Sequence, residues 1–283
     1  MGAAGLVEIK RRIKSINNTK KITKALGLVS TSKLRRVREK LSSNTGYFNQ
    51  CEEIFAEVMK SYDEETIYTT KNQSSKKLYI VLTSDMGLCG SFNTSIMAEL
   101  SEIVKGDREN SIILMVGEKG KSLANRYKLE TTAEYVEVGD IPTSIEAATI
   151  YNDAFEAYRK GEVAEVHIVY TKFISQIRKE FRIEQLLPVN REEFKEIDSK
   201  LQFEGESQEL VDSITNLYFN SKILNCMIHS KCSEQSTRME AMEGATRNSD
   251  DLLDKLNLKY NRARQSAITQ EISEIVGGAE AQS

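Results

Sequence analysis

SQELVDSITNLYFNSKILNCMIHSKCSEQSTRMEAMEGATRNSDDLLDKLNLKYNRARQSAITQEISEI, residues Ser207 to Ile275, is the stretch from which the rest of the chain can be read. No proline follows Pro188, and only Gly244 interrupts the run before the Gly277–Gly278 pair. Apolar or small residues return at alternating steps of three and four: Leu210, Ile214, Leu217, Ser221, Leu224, Ile228 and Cys232, then through Gln235 to Met239 and Met242. The walk crosses polar Thr246 and Ser249 and resumes at Leu253, Leu256, Tyr260, Ala263 and Ala267. Steps averaging about 3.5 keep one seam of a helix turned toward a partner helix. At ~1.5 Å per residue the run would reach ~100 Å, so no single globule can bury it.

The partner is supplied by the other end of the chain. Leu6, Ile9, Ile13, Ile16, Ile22, Leu26, Ser30, Leu34, Val37 and Leu41 form a second helical stripe, predicting a helix from about Ala3 to Met59 that softens around Ser42–Gly46. In an antiparallel pair the facing residue numbers have a constant sum. A sum near 265 sets Ile9 against Leu256, Ile13 against Leu253, Thr23 against Met242 and Leu41 against Leu224. In this register residues beyond about Arg262 have no N-terminal partner and project as a single helix.

Between the helices the period changes. Leu78–Thr83 and Ser111–Val116 read as buried strands, Glu134–Val138 as a weaker one, and Val163–Thr171 and Phe181–Leu187 as a last, antiparallel pair ended by Pro188. Helices are expected at Asn93–Lys105, Lys119–Tyr127 and from Pro142 to Arg159. Strands alternating with helices imply a mostly parallel sheet covered on both faces. The fold class is therefore α/β: a long antiparallel coiled coil of the N- and C-terminal helices (1–62 and 207–283) with an inserted Rossmann-like α/β domain (76–190). Asp63–Ser75 and Arg191–Glu206 are the charged connectors.

Composition narrows the function. The 283 residues carry a formal charge of -3, but between Lys10 and Lys40 twelve basic residues face the single acid Glu39. Such a run either solvates a helix face or meets an acidic partner, protein or nucleic acid. Cys51, Cys89, Cys226 and Cys232 have no metal-ligand spacing and are expected to be reduced thiols in a cytosolic setting. No apolar run approaches a membrane span, and Met1–Leu6 has neither signal-peptide order nor a myristoylation Ser or Thr. A soluble protein, or one peripheral through partners, is expected.

Ser84–Asn93 (Ser-Asp-Met-Gly-Leu-Cys-Gly-Ser-Phe-Asn) stands where an open α/β sheet places a phosphate loop, yet it has neither a Gly-x-Gly-x-x-Gly nor a Gly-Lys-Ser/Thr ending. A tight strand-to-helix turn capped by Asn93 is the simpler reading, and Gly117–Gly120 reads the same way. His167 lies in an apolar strand and His229 mid-helix with no ligand-spaced neighbour, so both read as packed. No Ser-His-Asp or Cys-His arrangement is present. Ser233–Met239 and Tyr260–Ile272 instead place polar groups around most of a helix, suited to contacts that form and break with several neighbours.

At these residues the chain resembles the gamma subunit of bacterial-type F-type ATP synthase. Ser233-Glu234-Gln235 with Arg238-Met239, Tyr260-Asn261, Arg264-Gln265, Ile268–Ile272 and Glu274–Gly278 match that family's C-terminal signature. Asn18-Thr19, Lys21–Ala25 and Ser32-Lys33 match its first helix, and Ser84-Asp85, Gly87–Gly90 and Asn93 match its central domain. The resemblance implies a rotor shaft without chemistry, cofactor or metal of its own, serving ATP synthesis and hydrogen-ion or other ion transport. It implies alpha and beta subunits, epsilon and the membrane c-ring as partners, no nucleic acid, no direct membrane insertion, and a place on the cytoplasmic face of the cell membrane. Implied contacts to the alpha/beta hexamer are Lys21, Lys24, Leu26, Glu234, Arg238, Arg264, Gln265, Thr269 and Glu271, with Arg35 and Arg36 toward the rotor ring. Leu26-Gly27-Leu28 departs from the family's usual Met-Glu-Met, and Gly244 from Ala, so a shaft loosened at both glycines is expected. The chain has no chloroplast-type cysteine insert, so thiol regulation is not expected. A nucleotide-binding α/β protein using Ser84–Asn93 and a basic coiled-coil adaptor for nucleic acid are the competing functions.

Overall fold

The computed structural model describes residues 3–62, 64–136, 138–194 and 208–280. Of the expected connector Arg191–Glu206 only a turn of 3-10 helix at Arg191–Phe194 falls among them, and the last three residues of the tip fall outside. Helix α1 runs over Ala3–Ser61 and α5 over Gln208–Glu280. Between them come β1 (Lys77–Leu82), α2 (Phe92–Ile103), β2 (Ser111–Val116), α3 (Glu118–Tyr127), β3 (Glu130–Tyr135), α4 (Ser144–Arg159), β4 (Glu165–Phe173) and β5 (Lys179–Leu187). The chain divides into two compact units, one of the residues up to Ser30 with those from Met239 on, the other Thr31–Arg238.

In the first unit α1 and α5 run antiparallel. Lys20 pairs with Asp250, Thr23 meets Thr246 at 2.8 Å, and Gly27 lies against Met242, whose Cβ would stand 3.5 Å from an added methyl. These residue numbers add to 269 or 270, so the register differs from the expected one by one helical turn. Apolar spacing alone could not tell the two apart. A shift of four keeps the same helix face inward and still sets Ile13 opposite an apolar residue, Leu256 instead of Leu253. The polar residues decide: Thr23 would otherwise face Met242 and forfeit its cross-helix hydrogen bond, and Lys20 would lose its acid.

In the second unit the strand order is β3-β2-β1-β4-β5, parallel except for β5, which pairs antiparallel with β4. One face of the sheet (Tyr79, Val81, Ile113, Met115 and Val169) packs on Phe92, Ile96, Met97 and Leu100 of α2 and Ala124 of α3. Leu78, Ile80 and Ile168 alternate to the other face and are also buried. That face holds α5, whose Ser230 hydroxyl reaches the Leu82 carbonyl, and α4, whose Tyr151 stacks on Phe219 at 5.5 Å. Rings continue the contact: Tyr218 stacks on Phe55 of α1 at 4.2 Å, and Phe155 stacks on Tyr68 at 5.3 Å. Helix α4 starts at Thr143, where the side chain and main chain of Thr143 and Glu146 bond reciprocally.

Three local expectations change. Helix α1 does not soften at Ser42–Gly46: the Ser43 and Thr45 hydroxyls bond back to their own helix, Asn44 donates to Asn225 of α5 at 3.3 Å, and buried Val37, Phe48 and Cys51 flank the site. Tertiary packing outweighs the ~1 kcal/mol that Gly46 costs. Strand β3 ends at Tyr135, three residues short of Val138, because β2 supplies ladder partners only to Val116, opposite Tyr135. Finally, α5 runs on past Gly277–Gly278 to Glu280.

Candidate functional site: the seat of the C-terminal helix

Strand order reverses between β1 and β4, and the crevice at the carboxyl ends of these two strands is where an open α/β sheet takes its ligand. Here the crevice is filled by α5. Ser230 donates to the carbonyl of Leu82 (3.5 Å), Ser233 to that of Thr171 (3.0 Å) and Ser236 to that of Gln176 (3.3 Å). From Arg238, Nη2 donates to the Met86 carbonyl at 2.9 Å and Nε to that of Gly87 at 3.3 Å. Its Nη1 donates to Glu234 at 2.7 Å, and Glu234 also accepts from Lys231 at 3.2 Å and Gln235 at 3.1 Å. Glu234 is 3% exposed and Arg238 8%. A buried carboxylate is tolerated because three donors answer it.

The loop Ser84–Asn93 is closed by its own side chains. Asn93 accepts from the Ser84 main-chain N–H at 3.0 Å and donates to the Ser84 hydroxyl at 2.7 Å and the Cys89 sulfur at 3.4 Å. Asn93 thus ties the loop from within α2 and does not cap the helix, whose N-cap is Ser91. Gly117 has φ of 104°, and a methyl added there would stand 2.5 Å from the Thr83 carbonyl oxygen. The turn at Gly117 thus serves close packing, while in the Ser84–Asn93 loop the polar side chains of Ser84 and Asn93 are taken up by each other. His167 stacks on Tyr79 at 5.2 Å and bonds Glu165 at 3.1 Å.

Farther down α5 a second anchor holds the helix to β5. Lys222 pairs with Glu184 at 2.5 Å, and the Tyr170 hydroxyl donates to Glu184 at 2.6 Å. Burial pushes the Glu184 carboxyl up, but the Lys222 charge and the two hydrogen bonds outweigh it, so its pKa lies below the ordinary value. Burial likewise pulls the Lys222 ammonium down, and the surrounding Tyr218, Cys226 and Glu184 reverse this to a net rise. The neighbouring Cys226 thiol is pushed up to about 12, chiefly by burial.

A chain whose ligand crevice is plugged by its own C-terminal helix, itself running on for 42 residues from Met239 to Glu280, is built to hold a helix. The family model described as ATP synthase matches residues 5–282. The chain is 50% identical to the ATP synthase gamma chain of Clostridium novyi, covering 100% of each, and 50% identical to that of Clostridium pasteurianum, covering 99% of each. The chain belongs to the ATP synthase gamma chain family. Among solved structures it is similar to the central stalk of Tetrahymena thermophila mitochondrial ATP synthase (TM-score 0.59, 28% identity, 79% of this chain and 99% of that one). It shares its fold with a rotor chain of the Euglena gracilis enzyme (TM-score 0.71, 18% identity, 94% of this chain and 100% of that one).

Within this gamma-family fold the residues singled out by resemblance fall into three places. Glu234 and Arg238 come together in the seat. Lys21 and Lys24 are exposed on α1 and Leu26 is half-buried there, while Arg264, Gln265, Thr269 and Glu271 are exposed on α5. Arg35 bonds Glu39 at 3.2 Å and, with Arg38, Leu34 and Ser42, lines an open groove of about 450 Å³ that Gln176 closes from the β4–β5 turn; Arg36 is exposed beside it. Sequence reasoning missed Ser230, Lys231 and Ser236 as seat residues. The available signal was the recurrence of serine at 230, 233 and 236, too small for a coiled-coil seam but suited to close approach of a main chain.

Proposed function

We propose that this chain is the central rotor shaft of an F-type ATP synthase, carrying torque between an ion-driven membrane ring and a catalytic hexamer of alpha and beta subunits. Gamma-family membership makes it a non-catalytic subunit of that complex. The single observation that carries the mechanical reading is the seat: a helix gripped by the sheet where a ligand would otherwise bind. Epsilon and the c-ring are the partners of the α/β part (76–190), and the coiled-coil elements (1–62 and 207–283) meet the hexamer. No helix among the described residues is long and apolar enough to cross a membrane. We place the chain on the cytoplasmic face of the cell membrane, held there through the complex.

Exposure supports Lys21, Lys24, Arg264, Gln265, Thr269 and Glu271 as hexamer contacts, and half-buried Leu26 is assigned with them by its place beside Lys24 on α1. Glu234 and Arg238 are sealed within the chain, and we assign them to the seat instead. Arg35 and Arg36 stand at the sheet end where α5 leaves the second unit, which favours the hexamer over the ring for both. Native mass spectrometry of the protein purified from its own cells tests the reading. One copy with six alpha and beta subunits is expected; a lone monomer or a homodimer under gentle conditions would overturn it.

A further inference from the structure

The donors of α5 that hold it in the crevice do not lie on one side. At 3.6 residues per turn, Ser236 and Arg238 leave the helix on nearly opposite sides, with Ser233 and Ser230 spaced along the arc of about 200° that runs between them. Ser233 and Ser236 hold carbonyls at the end of β4 and in the β4–β5 turn, Thr171 and Gln176, while Arg238 holds Met86 and Gly87 in the β1–α2 loop. The helix is therefore gripped from two opposite sides. Turning it about its own axis in either sense stretches one set of bonds while driving the other side into the sheet end.

Two further features suit this grip to load. All five acceptors are main-chain carbonyls, fixed by the strands and turns that carry them and not by side-chain rotamers. The long arm, Arg238, is itself immobilised: its third nitrogen is bonded to Glu234, which Lys231 and Gln235 hold in turn. The guanidinium fork reaches two successive carbonyls, which an ammonium point charge cannot do with the same geometry.

We propose that this two-sided grip is the key through which torque passes between the sheet and α5, with Arg238, Ser233 and Ser236 as positioning residues that act through the helix and touch no substrate. The proposal rests on the shaft reading, and its test separates the two. The whole chain is assembled with alpha and beta subunits, the hexamer is fixed to a surface, and a bead is carried on exposed Glu109→Cys. ATP hydrolysis rate, torque against viscous load and thermal unfolding are measured together. Failure of the unsubstituted chain to turn the bead would overturn the shaft reading and the key with it. The triple variant Ser233→Ala, Ser236→Ala, Arg238→Lys is expected to keep ATP hydrolysis and assembly but to lose torque under load, with turns per ATP falling as load rises. Restoring Arg238 alone should recover part of the torque. Should the triple variant fail to assemble, the double serine variant gives the reading, and it is expected to lose torque as well. Full torque in either assembled variant, or a torque loss no larger than its unfolded fraction, would overturn the key.

Discussion

Thr23 and Thr246 share a 2.8 Å hydrogen bond across the paired helices, and each hydroxyl also lies within reach of a carbonyl one turn back on its own helix, Lys20 and Met242 respectively. A consistent order of donors exists: Thr246 donates to Met242, and Thr23 donates to Thr246. The pair is partly buried, so replacing one threonine by valine, which keeps the shape, leaves the other hydroxyl without its cross-helix partner and is expected to destabilise the helix pair by about 1 kcal/mol, whereas replacing both should cost less than the two single changes together. A double-mutant cycle on chemical unfolding should return a coupling of similar size. Additive single effects would mean that the cross-helix bond contributes nothing.

The Lys222–Glu184 pair predicts an acid limit. Because the folded-state pKa of Glu184 lies below its ordinary value of 4.5, its contribution is complete above about pH 4.5 and is lost as pH falls through the lower folded value. Glu184→Gln should flatten that part of the stability–pH curve. At neutral pH the same change leaves Lys222, whose side chain is 17% exposed, without its carboxylate. A loss of about 2 kcal/mol is expected, below that of a sealed pair because Glu184 keeps 29% of its side-chain surface. Urea unfolding of both proteins between pH 3 and pH 7 measures both effects.

The glycines separate by what surrounds them. A methyl at Gly244 meets nothing within 4 Å, and one at Gly27 finds Met242 at an ordinary 3.5 Å. Gly27→Ala and Gly244→Ala should each stabilise α1 or α5 by about 1 kcal/mol, since alanine costs the helix less chain entropy. At Gly120 the added methyl would stand 2.2 Å from the Met115 sulfur and 2.5 Å from the Thr83 hydroxyl. Gly120→Ala should therefore destabilise the sheet unit while the other two raise the unfolding midpoint. A midpoint raised by Gly120→Ala would contradict the packing of α3 on β2.

Much of this molecule is legible in the chain because its largest elements obey simple periods. The apolar steps of three and four mark α1 and α5, and the runs at Leu78–Thr83 and Ser111–Val116 mark the central strands. Strand β3 is harder to see: Glu130, Thr131 and Thr132 are polar residues of an edge strand, which needs only one paired side. Register escaped the apolar pattern because a one-turn shift preserves it, and only Thr23, Lys20 and their partners break the tie. The seat escaped for a different reason. Glu234 and Arg238 look like surface residues of a polar helix, and what makes their burial tolerable is a pair of carbonyls at Met86 and Gly87, about 150 positions earlier, whose approach no local pattern records.

The last prediction concerns the end of α5. Beyond Arg262 the helix exposes Ile268 (48%), Ile272 (57%) and Ile275 (66%) at helical spacing, beside the exposed Arg264, Gln265, Thr269 and Glu271. None of these belongs to the sheet unit, whose residues end at Arg238. Ending the chain after Arg262 should therefore leave the thermal unfolding and protease resistance of Thr31–Arg238 unchanged. In the assembled complex the same truncation should lower the ions moved per ATP hydrolysed, because the contacts proposed for the hexamer are gone while the seat is intact. The two measurements answer different questions. Unfolding of the sheet unit on truncation would refute the division into two units, whereas full coupling without the tip would remove Arg264, Gln265, Thr269 and Glu271 from the contact surface and leave the load to α1 and the rest of α5.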